Sequence, residues 1–285
     1  MRWKTRQRSF ALARLCLLLV LSATACQQGP AQDTPSTAAV DASLLGDGFN
    51  PAPGLITWTR DANEVLFRAE IVGGEDPFLA RSVVPDCTIY GDNRIVWQNT
   101  LDSADVQVLE DRLSDQTISA FVQYLTVGER IYTYTEKLPE VAAQYDTAPV
   151  VEYVTINVNG ILHRADGLSG WDSTWFDRVL MTCQGLGAAP VLVLPSQAWV
   201  NSREVPYDPQ PALILWDPAV TGLHLSAHTG DTPVWVEGEG VRHLWNRARG
   251  LPLNSLYRED GRTFQIALQV PGVTRGSPPQ PPASP

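Results

Sequence analysis

Tight-turn signals between alternating segments constrain the fold of this chain more than any other feature of its sequence. Residues 153–165, "YVTINVNGILHRA", alternate apolar and polar side chains on both sides of Asn159-Gly160. This residue pair best tolerates the positive φ angles of a two-residue hairpin turn. Residues 256–270 repeat the pattern around an Asp-Gly pair, and residues 83–97 alternate around the polar turn "YGDNR". The sequence therefore predicts antiparallel β-hairpins.

Helical signals separate these hairpins. Ser114 is a favourable N-cap, and Gly128 supplies a C-terminal stop. The apolar residues between them recur at helical spacing: Ile118, Phe121, Val122 and Leu125. A second helix is predicted from about Thr174 to Gln184, and a third, shorter helix in "EGEGVRHLWNRARG" ends at Gly250.

The order hairpin, helix, hairpin recurs along the chain, because residues 212–227 are predicted to form a hairpin before the third helix. We therefore predict an α+β fold with two related units of antiparallel hairpins, each with one or two helices packed on one face. The first unit spans residues 54–190, and the second, smaller unit spans residues 191–270. A genuine duplication of the unit explains this recurrence. The alternative is a chance recurrence, since such hairpins occur in many unrelated proteins.

The N-terminus has the order of a secretory signal peptide. A basic stretch at residues 2–14 precedes an apolar run at 15–21 and small residues at 22–25. A membrane-spanning helix is the alternative, but it needs about 20 apolar residues, and Arg14 interrupts the run. Residues 1–25 are therefore predicted to be a signal peptide.

The ending "ATAC" resembles the lipobox of bacterial lipoproteins, with Ala23 at the usual leucine position. The resemblance implies that Cys26 is diacylated and becomes the new N-terminus, whereas plain secretion after Ala23 or Ala25 is the alternative. Acyl chains would anchor the protein in a membrane. Residues 26–53 are predicted to be a lipidated, disordered tether, and residues 271–285 a disordered Pro-rich tail. Either end is alternatively a binding motif.

Residues 83–186, with a hairpin before a capped helix and an "NG" hairpin after it, also resemble uncharacterised α+β domains of bacterial lipoproteins. That resemblance implies a fold and no activity.

The charge is acidic, with 21 Lys and Arg residues against 31 Asp and Glu residues. Five of the basic residues lie before Cys26, so the mature chain keeps 16 basic against 31 acidic residues, a net charge of −15. Like charge raises the cost of approaching nucleic acid. The expected partners are a membrane, through the lipid anchor, and an unknown protein or glycan.

Cys87 and Cys183 are the thiols left for the folded part, because Cys16 lies in the signal and Cys26 carries lipid. Both are predicted to point into the core of the first unit, in an oxidising compartment where disulfides persist. The sequence leaves a disulfide and two separate buried thiols open.

No catalytic motif is present: neither the G-x-S-x-G nucleophile elbow nor a phosphate-binding loop occurs. His224 and His228 are expected on one face of a strand with Ser226, where they are candidates for a metal site or belong to a polar sheet face. Two ligands do not make a metal site, so no metal or other cofactor is predicted.

Basic residues cluster on the third helix, at Arg242, Arg247 and Arg249. They are candidates for binding an anion, and the alternative is that they complement the negative C-terminal end of the helix. Tryptophans are frequent in the second half; Trp175 and Trp245 fall on apolar helix faces and are expected in the core, whereas exposed indoles would suit a glycan or a partner.

A lipid-anchored, non-catalytic binding or interaction domain on the extracytoplasmic side of the cell envelope is the favoured function. An envelope hydrolase or metal-dependent enzyme and a structural spacer on the cell surface are the alternatives.

Overall fold

The computed structural model describes residues 54–102, 105–144 and 148–281, and within them twelve strands form two sheets. The first sheet has the order β6-β5-β1-β2-β3-β4-β7, and all its neighbouring strands are antiparallel. Its strands are β1 Val65–Val72, β2 Cys87–Tyr90, β3 Arg94–Asp102, β4 Asp105–Arg112, β5 Val151–Val158, β6 Ile161–Asp166 and β7 Val191–Leu192. The β5–β6 hairpin turns at Asn159 and Gly160, whose φ angles of 54° and 72° are those of the predicted tight turn.

The second sheet has the order β10-β8-β12-β11-β9. Its strands are β8 Gln197–Glu204, β9 Leu213–Leu215, β10 Val234–Glu237, β11 Leu256–Glu259 and β12 Arg262–Gln269. The β11–β12 hairpin turns at Asp260 and Gly261, as predicted, whereas β9 joins the edge by pairing parallel with β11.

The α-helices of the described residues are α1 Pro77–Ala80, α2 Asp115–Gln123, α3 Leu138–Ala142, α4 Trp175–Gln184, α5 Pro218–Thr221 and α6 Glu239–Arg249. Ser114 caps α2, because its Oγ accepts a hydrogen bond from the Thr117 N–H at 3.0 Å. A π-helical turn, Tyr124–Gly128, then extends α2 to the predicted stop. The predicted α+β class is confirmed.

Helices α2 and α4 cover one face of the first sheet and form a first core with it. The largest buried side chains of this core are Phe67, Ile89, Ile95, Ile118, Phe121 and Trp175. Cys87 on β2 and Cys183 on α4 are fully buried here and form a disulfide, with Cα atoms 6.4 Å apart. Of the two alternatives left open by the sequence, the structure has the bonded pair.

The opposite face of the first sheet is also buried. Tyr90, Val96 and Val108 alternate with the residues of the first core and join a second core. That core also contains side chains of the second sheet and of α6, namely Val200, Phe264, Leu268, Val241 and Leu244. The two predicted units therefore share a core. β7, at residues 191–192, still pairs with β4 of the first sheet.

The predicted hairpin at residues 212–227 is wrong. After β9, the Asp217 side chain accepts a hydrogen bond from the Ala219 N–H, and Pro218 opens α5. Gly222, with a φ of 70°, ends the helix, and Leu225–His228 form a 3₁₀ helix. An Asp-Pro helix start outweighs the strand pattern here. Proline has the φ of a first helical turn, and its missing N–H costs nothing there, because that N–H would have no partner within the helix. The recurrence of hairpin, helix, hairpin fails at this point.

The predicted disordered tail is also corrected for residues 271–281. Val273 and Thr274 are buried. Arg275 donates to Glu70 at 2.6 Å and to Glu75 at 2.9 Å. The proline content of this segment led to the prediction of disorder, but residues 273–275 supply burial and ion pairs. The predicted signal peptide, Cys26 and the tether lie outside the described residues. No helix within the described ranges has the length and hydrophobicity to span a bilayer.

Candidate functional site

The predicted anion-binding arginines lie on α6, whose apolar side enters the second core through Val241, Leu244 and Trp245. The structure separates the three arginines. Arg242 pairs with Glu239 one turn earlier at 2.8 Å, and Arg247 is exposed. Arg249, the last residue of the helix, lines a pocket. The structure therefore leaves Arg249 as the candidate with a concave site.

This pocket lies where the end of α6 meets β11, β12 and the segment after α1, and its cavity volume is about 20 Å³. A cavity of about 10–15 Å³ holds one water molecule, so the pocket has room for a small polar group such as a carboxylate. Its wall is about evenly polar and apolar. The lining residues are Ser82, Leu244, Ala248, Arg249, Pro252, Leu253, Ser255, Tyr257, Ile266 and Leu268.

Arg249 brings a positive charge to this pocket. Its Nη2 donates to the Ser82 carbonyl at 3.1 Å, and its guanidinium lies over the Trp245 ring, 4.5 Å from the centroid. Its Nε is buried without a hydrogen-bond partner, and no carboxylate forms an ion pair with it, among the residues that the structure describes. Burial lowers the pKa of Arg249 to about 10, so the side chain is still protonated at neutral pH.

Tyr257 also lines the pocket. Burial raises the pKa of its hydroxyl to about 12, although the charges of Arg249 and Arg247 oppose this shift. The hydroxyl therefore keeps its proton. The two serines have partners already: the Ser255 hydroxyl donates to the Pro252 carbonyl at 2.6 Å, and Ser82 Oγ accepts from the Leu268 N–H at 2.8 Å.

This arrangement suits the binding of a carboxylate. A planar guanidinium forms charge-assisted hydrogen bonds with carboxylates, and the apolar part of the wall suits a hydrocarbon group attached to one. None of the described lining residues is a histidine, cysteine, aspartate or glutamate.

The histidines predicted as metal candidates need a correction. They flank and end the 3₁₀ helix at Leu225–His228, so they do not lie on one face of a strand. His224 Nδ1 is 3.1 Å from Glu259 Oε1, and the Ser226 N–H donates to Glu259 Oε2 at 3.0 Å. In the part of the chain that the structure covers, no group of three His, Cys, Asp or Glu residues is arranged to hold a metal ion.

The tryptophans divide into core and surface residues. Trp171, Trp175, Trp216 and Trp245 are buried, and Trp175 and Trp245 were predicted to be. Trp235 is half-exposed and lies edge-to-face with Trp199, at 5.3 Å between ring centroids. Sequence reasoning missed Trp199. It lies on β8 directly opposite Trp235 on β10, and this register brings the two rings together.

Sequence reasoning also missed Tyr257 and Ser82 as neighbours of Arg249. Tyr257 lies in a predicted strand, but nothing in the sequence says which helix packs on that strand. The chain matches no family model, no curated protein and no solved structure. The site is therefore interpreted from its own geometry.

Proposed function

We propose that this protein is a non-catalytic binding domain, anchored by lipid on Cys26 outside the cytoplasm, which takes a small carboxylate-bearing ligand in the pocket of Arg249. The observation that carries the binding role is the Arg249 guanidinium, which lines a pocket without a paired carboxylate in the described chain. A buried charge is costly unless it is paired. A ligand carboxylate supplies the missing countercharge.

The remaining pocket groups narrow the ligand further. Tyr257 lines the same pocket and keeps its hydroxyl proton at neutral pH. Leu244, Leu253 and Ile266 form the apolar part of the wall. The expected ligand therefore places one carboxylate in the pocket and a short hydrocarbon part at its mouth.

The location rests on sequence features. The basic, apolar and small-residue segments before Cys26 have the order of a signal peptide, and "ATAC" resembles a lipobox. A lipid anchor leaves the folded domain outside the membrane.

Sodium hexanoate is a suitable probe, with hexanol and sodium chloride as matched controls. Ligand that binds only the folded protein at a hundred times its Kd adds about 2.7 kcal/mol of stability. We expect hexanoate to raise the midpoint of thermal unfolding and the two controls to leave it unchanged.

Two variants locate the effect. Arg249→Gln should abolish the hexanoate shift, whereas Arg242→Gln, on the same helix but paired with Glu239, should keep it. Because each variant is compared with itself with and without probe, a change in basal stability does not obscure the result. An equal shift in both variants, or none in the unmodified protein, contradicts the proposed site.

A further inference from the structure

The outer face of the second sheet carries a row of side chains that crosses three strands. Trp235 on β10 lies opposite Trp199 on β8, and Trp199 lies opposite Gln269 on β12. Gln197 and Glu237 form the next pair along β8 and β10. These residues alternate with Ala198, Val200 and Val236, which pack in the second core. We call this row, with Gln197 and Glu237, the tryptophan face.

The proline-rich end of the chain lies on the tryptophan face. Trp199 Nε1 donates to the Pro279 carbonyl at 3.1 Å, and Gln269 Nε2 donates to the Gly276 carbonyl at 3.4 Å. The Gln280 side chain donates to Gln197 Oε1 at 3.3 Å. Gly276 has a φ of 61° and lies in the turn that leads into the proline-rich end.

The chemistry of this face suits a proline-rich chain. Proline fixes φ near −65° and has no N–H, so such a segment offers ring surface and carbonyl acceptors but cannot complete a β-ladder. The two indoles, packed edge to face, provide apolar surface, and the Trp199 N–H provides the donor. Aromatic-lined grooves recognise proline-rich segments in this way.

The attachment of the proline-rich end is weaker than that of the residues before it. Val273 and Thr274 are buried, whereas Pro279 and Gln280 are exposed. Exposed hydrogen bonds contribute little net stability, because water replaces the partner. Residues up to Arg275 therefore stay fixed when the residues after Ser277 leave the face.

Polar side chains that the protein itself covers also lie on this side of the sheet. Asn201 follows Trp199 by two residues on β8, so its side chain projects from the same side of the sheet. It is 1% exposed, and both atoms of its amide lack a partner within the described ranges. Gln269 Oε1 is likewise buried and unpartnered there.

From these observations we infer that the tryptophan face is a docking site for an extended proline-rich segment of a partner protein, and that the chain's own residues 277–281 occupy it in cis. The inference is independent of the proposed carboxylate pocket, since no residue of the face lines that pocket. The cis segment is a competitor with the same chemistry as the partner.

A labelled peptide with the sequence of residues 276–285, GSPPQPPASP, tests the inference by fluorescence anisotropy. A chain that stops after Ser277 should bind this peptide. The full chain should bind it more weakly, because a short linker gives the attached segment an effective concentration of about millimolar. A peptide with alanine at the positions of Pro278, Pro279 and Pro281 should not bind to either chain.

Substitutions in the shortened chain test the donor. Trp199→Phe keeps an aromatic ring and removes the N–H, so the peptide should bind about fivefold more weakly, the equivalent of one hydrogen bond. Trp58→Phe is the matched control, since Trp58 Nε1 also donates to a backbone carbonyl, that of Gly91, away from the face. It should leave peptide binding unchanged.

Three results overturn the inference: a folded shortened chain that does not bind the peptide, binding that is unchanged by Trp199→Phe, or equal binding of the alanine peptide.

If the shortened chain does not fold, the full chain with Pro278, Pro279 and Pro281 changed to alanine replaces it. That variant should bind the native peptide more tightly than the unmodified chain, and equal binding contradicts the inference. If the full chain forms a concentration-dependent dimer and the alanine variant does not, the face binds a second copy of this chain. That result overturns the partner role.

Discussion

At the scale of single residues, His228 lies in surroundings that oppose its protonation. Burial lowers the pKa of His228, and His224 adds to the shift, while the carboxylate of Glu259 opposes it. Its Nδ1 is buried without a partner in the described chain. Glu259 itself is 1% exposed and already accepts a hydrogen bond from Ser226. The folded protein therefore prefers neutral His228.

The free energy of unfolding should consequently fall as the pH drops below 6.5. In the window between the lowered pKa and the ordinary value of 6.5, the unfolded chain binds a proton that the folded chain does not. One such group changes stability by at most about 1.4 kcal/mol per pH unit. Urea unfolding of His228→Gln between pH 7 and 5 should show a smaller slope than the unmodified protein. His243→Gln, on the exposed side of α6, is the control, and a slope equally reduced by it would contradict this role of His228.

At the scale of secondary-structure elements, the disulfide joins α4 to β2 across 96 residues of sequence. Its main effect is on the unfolded chain, because a closed loop of about 97 residues gains less conformational entropy on unfolding. In the loop-entropy description, this stabilises the folded protein by up to about 4.7 kcal/mol. Both cysteines are also fully buried in the first core.

Changing Cys87 and Cys183 together to alanine should therefore lower the free energy of unfolding by about 2–5 kcal/mol. Denaturant titrations of both proteins, with and without reductant, measure the difference. Reductant should bring the unmodified protein close to the variant and leave the variant unchanged. Mass spectrometry that finds two free thiols in the unfolded, unreduced protein would contradict the pairing.

Elements governed by local chemistry could be predicted from the sequence, and those governed by distant packing could not. Asn159-Gly160 and Asp260-Gly261 specify their turns through positive φ angles, and Ser114 specifies a helix start. The hairpin prediction for residues 212–227 was wrong because it followed the alternation of apolar and polar residues and not the Asp-Pro start of α5. The candidate site was found only in part, since Arg249 meets Ser82, 167 residues away, through packing that no local pattern encodes.

At the scale of the whole molecule, the shared core makes the two sheets parts of one structure. Val96 and Val108 of the first sheet contact the same core as Val200 and Phe264 of the second. An unfolded second sheet would expose the back of the first one to water, which is unfavourable for apolar surface. The two sheets are therefore expected to unfold in one cooperative transition.

The proposed anchor makes its prediction at this scale. Cys26→Ser should abolish acyl labelling and move the protein from the membrane fraction to the soluble fraction, because the acyl chains supply the binding energy. Cys16→Ser, a change within the proposed signal, should leave the protein in the membrane fraction. A mature Cys26→Ser protein that still sediments with membranes would rule out lipid on this residue as the anchor.

The ion pair between Glu70 and Arg275 links positions 205 residues apart, and this has a consequence for synthesis. Glu70 leaves the ribosome early, in the first strand of the first sheet, whereas Arg275 leaves it after both sheets. In a folded chain without Arg275, Glu70 would lie in its buried place without this countercharge, which is costly. A chain that stops short of Arg275 contains both complete sheets but lacks this ion pair. Its free energy of unfolding should therefore be lower than that of the full-length chain.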